Sequence, residues 1–220
     1  MSKKEDTDLV ENPLYQHILN AEKFVAGNSL LTKELMKAKV YYQEKTGKFR
    51  ETNENYENSI NAFHYWFLFD WGCTFKTDKK VSPYQIYLDN NPLVRQDSKQ
   101  CVHSQIHSLF EFIKVTKTET VIFDLFSKKK LKIPDTETLF SFEKGCYFET
   151  RLINFQGKLF FSPFLTMHPA VVYRQLRKQI KLIRKQPDKW PDFLLYLSHL
   201  HYKWVNYPKF NVSNIYVFKQ

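Results

Sequence analysis

The hydrophobic period of this chain changes twice along its length, and that limits what it can fold into. Up to about Ser108 the apolar residues recur every three or four positions. From Leu109 to Phe164 they come in short β-branched and aromatic runs, and beyond Pro169 the helical spacing returns. Helices, then strands, then helices predict an α+β chain: N-terminal helices, a small antiparallel β-barrel and two C-terminal helices. The expected division is a polar, disordered tail over 1–11, a helical region over 12–108, the barrel over 109–165, and basic helices with a terminal strand over 166–220. The last two parts are expected to pack as one unit.

Asn12-Pro13 reads as an N-cap followed by a first helical residue. Leu14, Ile18, Ala21 and Val25 then share a face, and Gly27 closes the helix. Ser29 or Thr32 opens a second helix that runs to Thr46-Gly47. A third starts near Asn53, aligns Tyr56, Ile60, Phe63 and Phe67, and runs into the most hydrophobic segment of the chain, Ala62–Trp71. Ser82-Pro83 opens a short helix ended by Asn90-Asn91-Pro92, and another helix is expected over 94–108. Strands are expected at Leu109–Lys117, Glu119–Phe126, Lys129–Ile133, Gly145–Gln156 and Lys158–Phe164, with turn chemistry at Ser127-Lys128, Pro134-Asp135 and Gly157. Strands so short suit a strongly curved barrel of the SH3-like or OB-like kind. Helices from Pro169 to Gln186 and from Asp188 to Trp204 follow, and Ile215–Phe218 reads as a last strand that could pair with an edge.

Composition removes several functional classes. Cys73, Cys101 and Cys146 are too few and too far apart for a disulfide framework or a paired-cysteine zinc site. The longest uncharged stretch, 159–173, is broken by Pro163 and Pro169 and is too short to span a bilayer. The opening residues lack an apolar signal core, so a cytoplasmic protein is expected. Phosphate-cradling loops need clustered glycines, and Gly27, Gly47, Gly72, Gly145 and Gly157 are widely spaced. No cofactor is implied.

The order of Phe67-Leu68-Phe69-Asp70-Trp71, the short helix Pro83–Leu88, Leu109-Phe110-Glu111-Phe112, Phe123-Asp124-Leu125 and Gly145–Leu152 resembles a family of uncharacterised bacterial proteins. Some of its members carry a C-terminal SEC-C zinc motif. The resemblance spans about residues 50–165 and implies a fold but no chemistry. This chain departs from the pattern in having no cysteine-rich tail and in placing Cys146 where an acid often follows the glycine.

Several residues suggest chemistry, and each also has an ordinary structural reading. Asp70, flanked by Trp66, Phe69 and Trp71, could be a proton donor with a raised pKa. The simpler reading makes the aromatics core and Asp70 a helix-end cap. On a helix, His103 and His107 would share a face as half a metal site, but Cys101 would lie off that face and no acid sits between them; no metal site is assigned. His199 and His201, two apart, would diverge on a helix. Asp124, Glu149 and Arg151 could converge on a barrel face, or simply line a solvated one. An enzyme would need distant segments to gather Asp70, Glu111, Asp124 or His107.

Charge gives the clearest functional signal. The last seventy residues hold twelve Lys/Arg against Asp188 and Asp192, which accounts for the whole net charge of +10. Six of those cations, Arg174, Arg177, Lys178, Lys181, Arg184 and Lys185, fall on one helical arc of about 120°, opposite Val172, Leu176, Ile180 and Ile183. Like charges at that spacing repel, and a polyanion would relieve the repulsion while releasing counterions. The expected function is therefore a non-enzymatic binding module for an anionic partner, nucleic acid first and an acidic protein second. An anionic membrane fits less well, because the apolar stripe carries no aromatic wedge. The alternatives are an interaction adaptor that uses an aromatic surface, and an enzyme.

Overall fold

The computed structural model describes residues 13–74, 80–92 and 104–218. Seven α-helices and six β-strands lie among the described residues. Asn12, Cys101, His103 and most of the helix expected over 94–108 lie outside them.

Helix α1 (Pro13–Ala26) buries Leu14, Ile18, Ala21 and Val25, the four positions picked out by their spacing. Helix α2 (Ser29–Thr46) begins at Ser29, one of the two expected starts, with Asn28 as its cap. The Asn28 side-chain oxygen accepts the N–H groups of Leu30 and Leu31 at 3.0 and 3.2 Å. The helix ends on Gly47, whose φ of 106° suits glycine and whose α-carbon faces the Tyr202 ring. Helix α3 (Tyr56–Asp70) buries Phe63 and the whole run Tyr65–Phe69, so five successive side chains near its C-terminus are enclosed. Helix α4 (Pro83–Asn90) starts under the Ser82 hydroxyl, which accepts the Gln85 N–H at 3.2 Å.

Strands β1 (Gln105–Val115), β2 (Thr120–Asp124), β3 (Lys130–Ile133), β4 (Tyr147–Phe155) and β5 (Lys158–Phe161) form an antiparallel sheet in the order β3-β2-β1-β4-β5, and β6 (Thr166–Met167) also pairs with β4. The sheet curls into a half-barrel: Ile133 on one outer strand and Leu159 and Phe161 on the other contribute to the same core. A register shift between Phe112 and Lys114 in the β1–β2 pairing adds to the bend.

Two expectations are corrected here. Gln105–Ser108 is strand, not the end of a helix, because it pairs with Ile153–Thr150 along β4. Ile215–Phe218 forms no strand. Asn211 caps the short helix α7 (Val212–Ile215), and Tyr216 and Phe218 then fill the C-terminal core instead of alternating along an edge.

The 3₁₀ turn Ala170–Val172 leads into α5 (Tyr173–Ile183), and the 3₁₀ turn Pro187–Lys189 leads into α6 (Trp190–Asn206). Three apolar clusters result. Inside the curl sit Phe110, Phe112, Ile122, Ile133, Phe148 and Leu152. The outer face of the sheet carries the other two. Ile153 and Phe155 pack against α1, α3 and α4, while Leu109 and Tyr147 pack against α5 and α6. Between those outer cores, His107 stands opposite Arg151 and Leu109 opposite Glu149 in the β1–β4 pairing. Alternation therefore gives the polar trio His107, Glu149 and Arg151 one face.

Candidate functional site

Helix α5 turns its apolar stripe inward: Val172, Leu176 and Ile180 are buried and Ile183 is half-buried. Its N-terminus is fixed to the sheet, for Tyr173 stacks on Tyr147 with ring centroids 4.2 Å apart and its hydroxyl accepts the Tyr147 N–H at 2.9 Å. The opposite side carries the cations, which are not equivalent. Arg177 donates from Nε to the Tyr147 hydroxyl, lies over that ring, and reaches Glu111 at 3.7 Å. Arg184 is half-buried. Arg174, Lys178, Lys181 and Lys185 are exposed, and none of them has an ion-pair partner among the described residues.

Asp70 has a different role from either one expected of it. It is the last residue of α3, and its carboxylate receives the guanidinium of Arg151 end-on, through Nη2 to Oδ2 and Nη1 to Oδ1. Arg151 is 1% exposed; it also donates to Gln105, approaches His107 Nδ1 at 3.2 Å, and lies over the Phe69 ring. His107 Nε2 meets Glu149 at 2.9 Å, and Glu149 accepts the Ser198 hydroxyl of α6 at 3.3 Å. A chain of polar groups thus runs from α3 through two strands to α6. Of the acids named for an enzyme, Glu111 and Asp124 lie elsewhere. Glu111 faces Arg177. Asp124 is a turn-former that accepts the hydroxyls of Ser108 and Ser127, both at 2.5 Å, and the Phe126 N–H at 3.0 Å.

The aromatics flanking Asp70 are packing groups. Trp66 and Phe69 are buried. Trp71 donates its indole N–H to Glu34 at 3.0 Å. Burial alone would raise the Glu34 pKa, but the hydrogen bonds from Lys37 and Trp71 bring it below the usual carboxylate range.

The histidines separate. His107 sits on β1 and not on a helix, and His103 lies outside the described residues. His201 points inward, where burial lowers its pKa to about 4. His168, missed by sequence reasoning, donates or accepts at 3.0 Å with the Tyr216 hydroxyl, and burial lowers its pKa to about 3. No group of three or more His, Cys, Asp or Glu among the described residues could hold a metal ion. Likewise, no helix among them is long and apolar enough to cross a membrane.

No curated protein and no solved structure matches the chain. A family of unknown function, DUF7986, matches residues 12–190, from the first helix through the whole of the cationic helix α5. The chain belongs to that family.

Proposed function

We propose that this protein is a binding module that engages the phosphate backbone of nucleic acid through helix α5. The observation that carries this reading is the exposed row Arg174, Lys178 and Lys181 on a helix that contains no acid, continued by Lys185 in the turn after Ile183, all four unpaired among the described residues. Its helical part, from Arg174 to Lys181, spans about 10 Å at 1.5 Å per residue. Its scaffold is rigid, because the buried stripe and the Tyr173–Tyr147 stack fix the orientation of the helix. Contacts of this kind set affinity and orientation, not sequence preference. On the same reading the barrel and C-terminal helices act as one cytoplasmic unit. The aromatic segment around Asp70 is the structural signature linking the chain to the N-terminal part of SEC-C-motif proteins.

The polar chain from Asp70 to Ser198 supports the scaffold, not a reaction. Its charged groups are taken up by one another, and Arg151 and Glu149 are buried.

Fluorescence anisotropy with labelled oligonucleotides over a salt series tests the proposal. Four phosphate contacts predict a log–log slope of about −3 to −4, so that affinity falls roughly a hundredfold between 50 and 200 mM salt. Reversal of Lys178, Lys181 and Lys185 to Glu should abolish binding. Absence of binding at low salt would overturn the reading.

A further inference from the structure

Beyond the end of α6 the chain presents two aromatic rings to solvent. Tyr207 is 49% exposed and Phe210 65%, and they meet edge to face with centroids 6.3 Å apart. A ring pair in that geometry leaves an aromatic face of each open. With Lys203, Asn214 and Ile215 they frame a groove of about 360 Å³, within the size range of small-ligand sites.

The groove is rigidly built. The Phe210 N–H donates to the Tyr207 carbonyl at 3.0 Å, closing a β-turn with Pro208 at its second position. The Tyr207 N–H closes α6 on the Lys203 carbonyl at 2.9 Å, and Asn211 caps α7 immediately afterwards. Large apolar rings held in solvent on a fixed turn lose the benefit of burial until something covers them.

Its surroundings indicate what would do so. From Phe193 onward the sequence contains Lys203, Lys209 and Lys219 and no acid. Lys203 and Lys209 are exposed, with no ion-pair partner among the described residues. Helix α7 packs on the 3₁₀ turn that opens α5, and Val212 and Ile215 share a core with Val172 and Leu176. The groove is therefore lined in part by α7, the helix that packs on the turn opening the cationic helix. Flat rings beside the exposed cations Lys203 and Lys209 match unpaired bases on a phosphate backbone, whereas duplex DNA keeps its bases stacked and out of reach.

We propose that Tyr207 and Phe210 form a base-stacking subsite, so that the polyanion bound by α5 is single-stranded nucleic acid; this rests on the reading of α5 given above. The test is anisotropy of the full chain with three labelled probes: a twelve-residue oligothymidylate, an abasic strand of the same length and charge, and a twelve-base-pair duplex.

Oligothymidylate should bind about tenfold or more tighter than the abasic strand, in line with the measured contribution of one stacked base. Tyr207→Ala and Phe210→Ala should each remove about tenfold on oligothymidylate and change the other two probes less than twofold. Tyr207→Trp, which keeps a stacking face, should retain binding and show that the alanine effects are not unfolding. Equal affinity for all three probes, with the ring variants indifferent, would overturn the subsite and leave the cationic helix intact as a binding element. No binding of any probe would overturn both. Capture by phosphatidylserine vesicles that depends on the two rings, with oligothymidylate binding unaffected by them, would replace the subsite with a membrane contact.

Discussion

Arg151 and Asp70 stand 81 positions apart in the chain and meet as a two-pronged pair, each terminal nitrogen of the guanidinium facing one carboxylate oxygen. The two partners differ in their access to water. The Asp70 side chain retains 28% of its exposure and that of Arg151 only 1%. Removing either one therefore has unequal consequences.

Asp70→Ala strands a buried cation and should lower stability by about 3 kcal/mol or more. Arg151→Met leaves an acid that can hydrate and a side chain of similar length in the hole, so its cost should be smaller. Urea unfolding with an unchanged m-value reads both effects. A cost under about 1 kcal/mol for Asp70→Ala would show that the pair is no keystone of the fold.

Acid should weaken the fold through two buried histidines. Burial lowers His168 to about 3 and His201 to about 4, while the unfolded chain protonates both near 6.5. Between those values the unfolded state binds more protons than the native state. Stability is thus fully present above pH 6.5 and falls as the pH drops toward 4, by up to about 1.4 kcal/mol per pH unit for each histidine. His168→Gln, which preserves a partner for Tyr216, should flatten the slope of thermal midpoint against pH in that window.

Gly47 should tolerate no side chain. At φ 106° an added Cβ is strained, and it would overlap the ring of Tyr202. Gly47→Ala is expected to cost about 2–3 kcal/mol, the upper part of the range for backbone strain. Combining it with Tyr202→Ala should recover the steric part and leave the backbone part, which a double-mutant cycle in urea separates.

The two cysteines within the described residues should be slow to react. Burial pushes the Cys73 thiol up to about 12 and the Cys146 thiol up to about 11, so little thiolate exists at pH 8. Alkylation followed by mass spectrometry should label both only in denaturant. Rapid labelling of Cys146 in the native protein would place it in an open surface cleft.

Much of the architecture could be read from periodicity because the elements concerned bury one face each. The buried set of α1 and the apolar stripe of α5 follow directly from their spacing. The beginning of β1 could not be read that way. Gln105 and His107 face Arg151 and its acids, so a polar residue occupies the buried side and the alternation that marks a strand disappears. The ionic chain itself had only a faint trace, Glu149 and Arg151 two apart in a strand that is buried on both faces. Their partners on α3 and α6 are too distant in sequence for any local pattern to show. Arg177 is indistinguishable in sequence from the other cations of the arc for a similar reason, since Tyr147 and Glu111 reach it only through the fold.

The placement of His107, Glu149 and Arg151 also protects the sheet from mispairing. A slip of β4 by a single residue against β1 would turn Glu149 and Arg151 into the aromatic interior beside Phe110 and Phe112, and expel Phe148 and Leu152 among the helices. Two aromatic-rich strands with apolar groups on both sides would otherwise have several near-equivalent ways to zip together. Three charged or polar side chains make the alternatives prohibitively unfavourable, so the ionic row acts as a key that admits one alignment of the central strands.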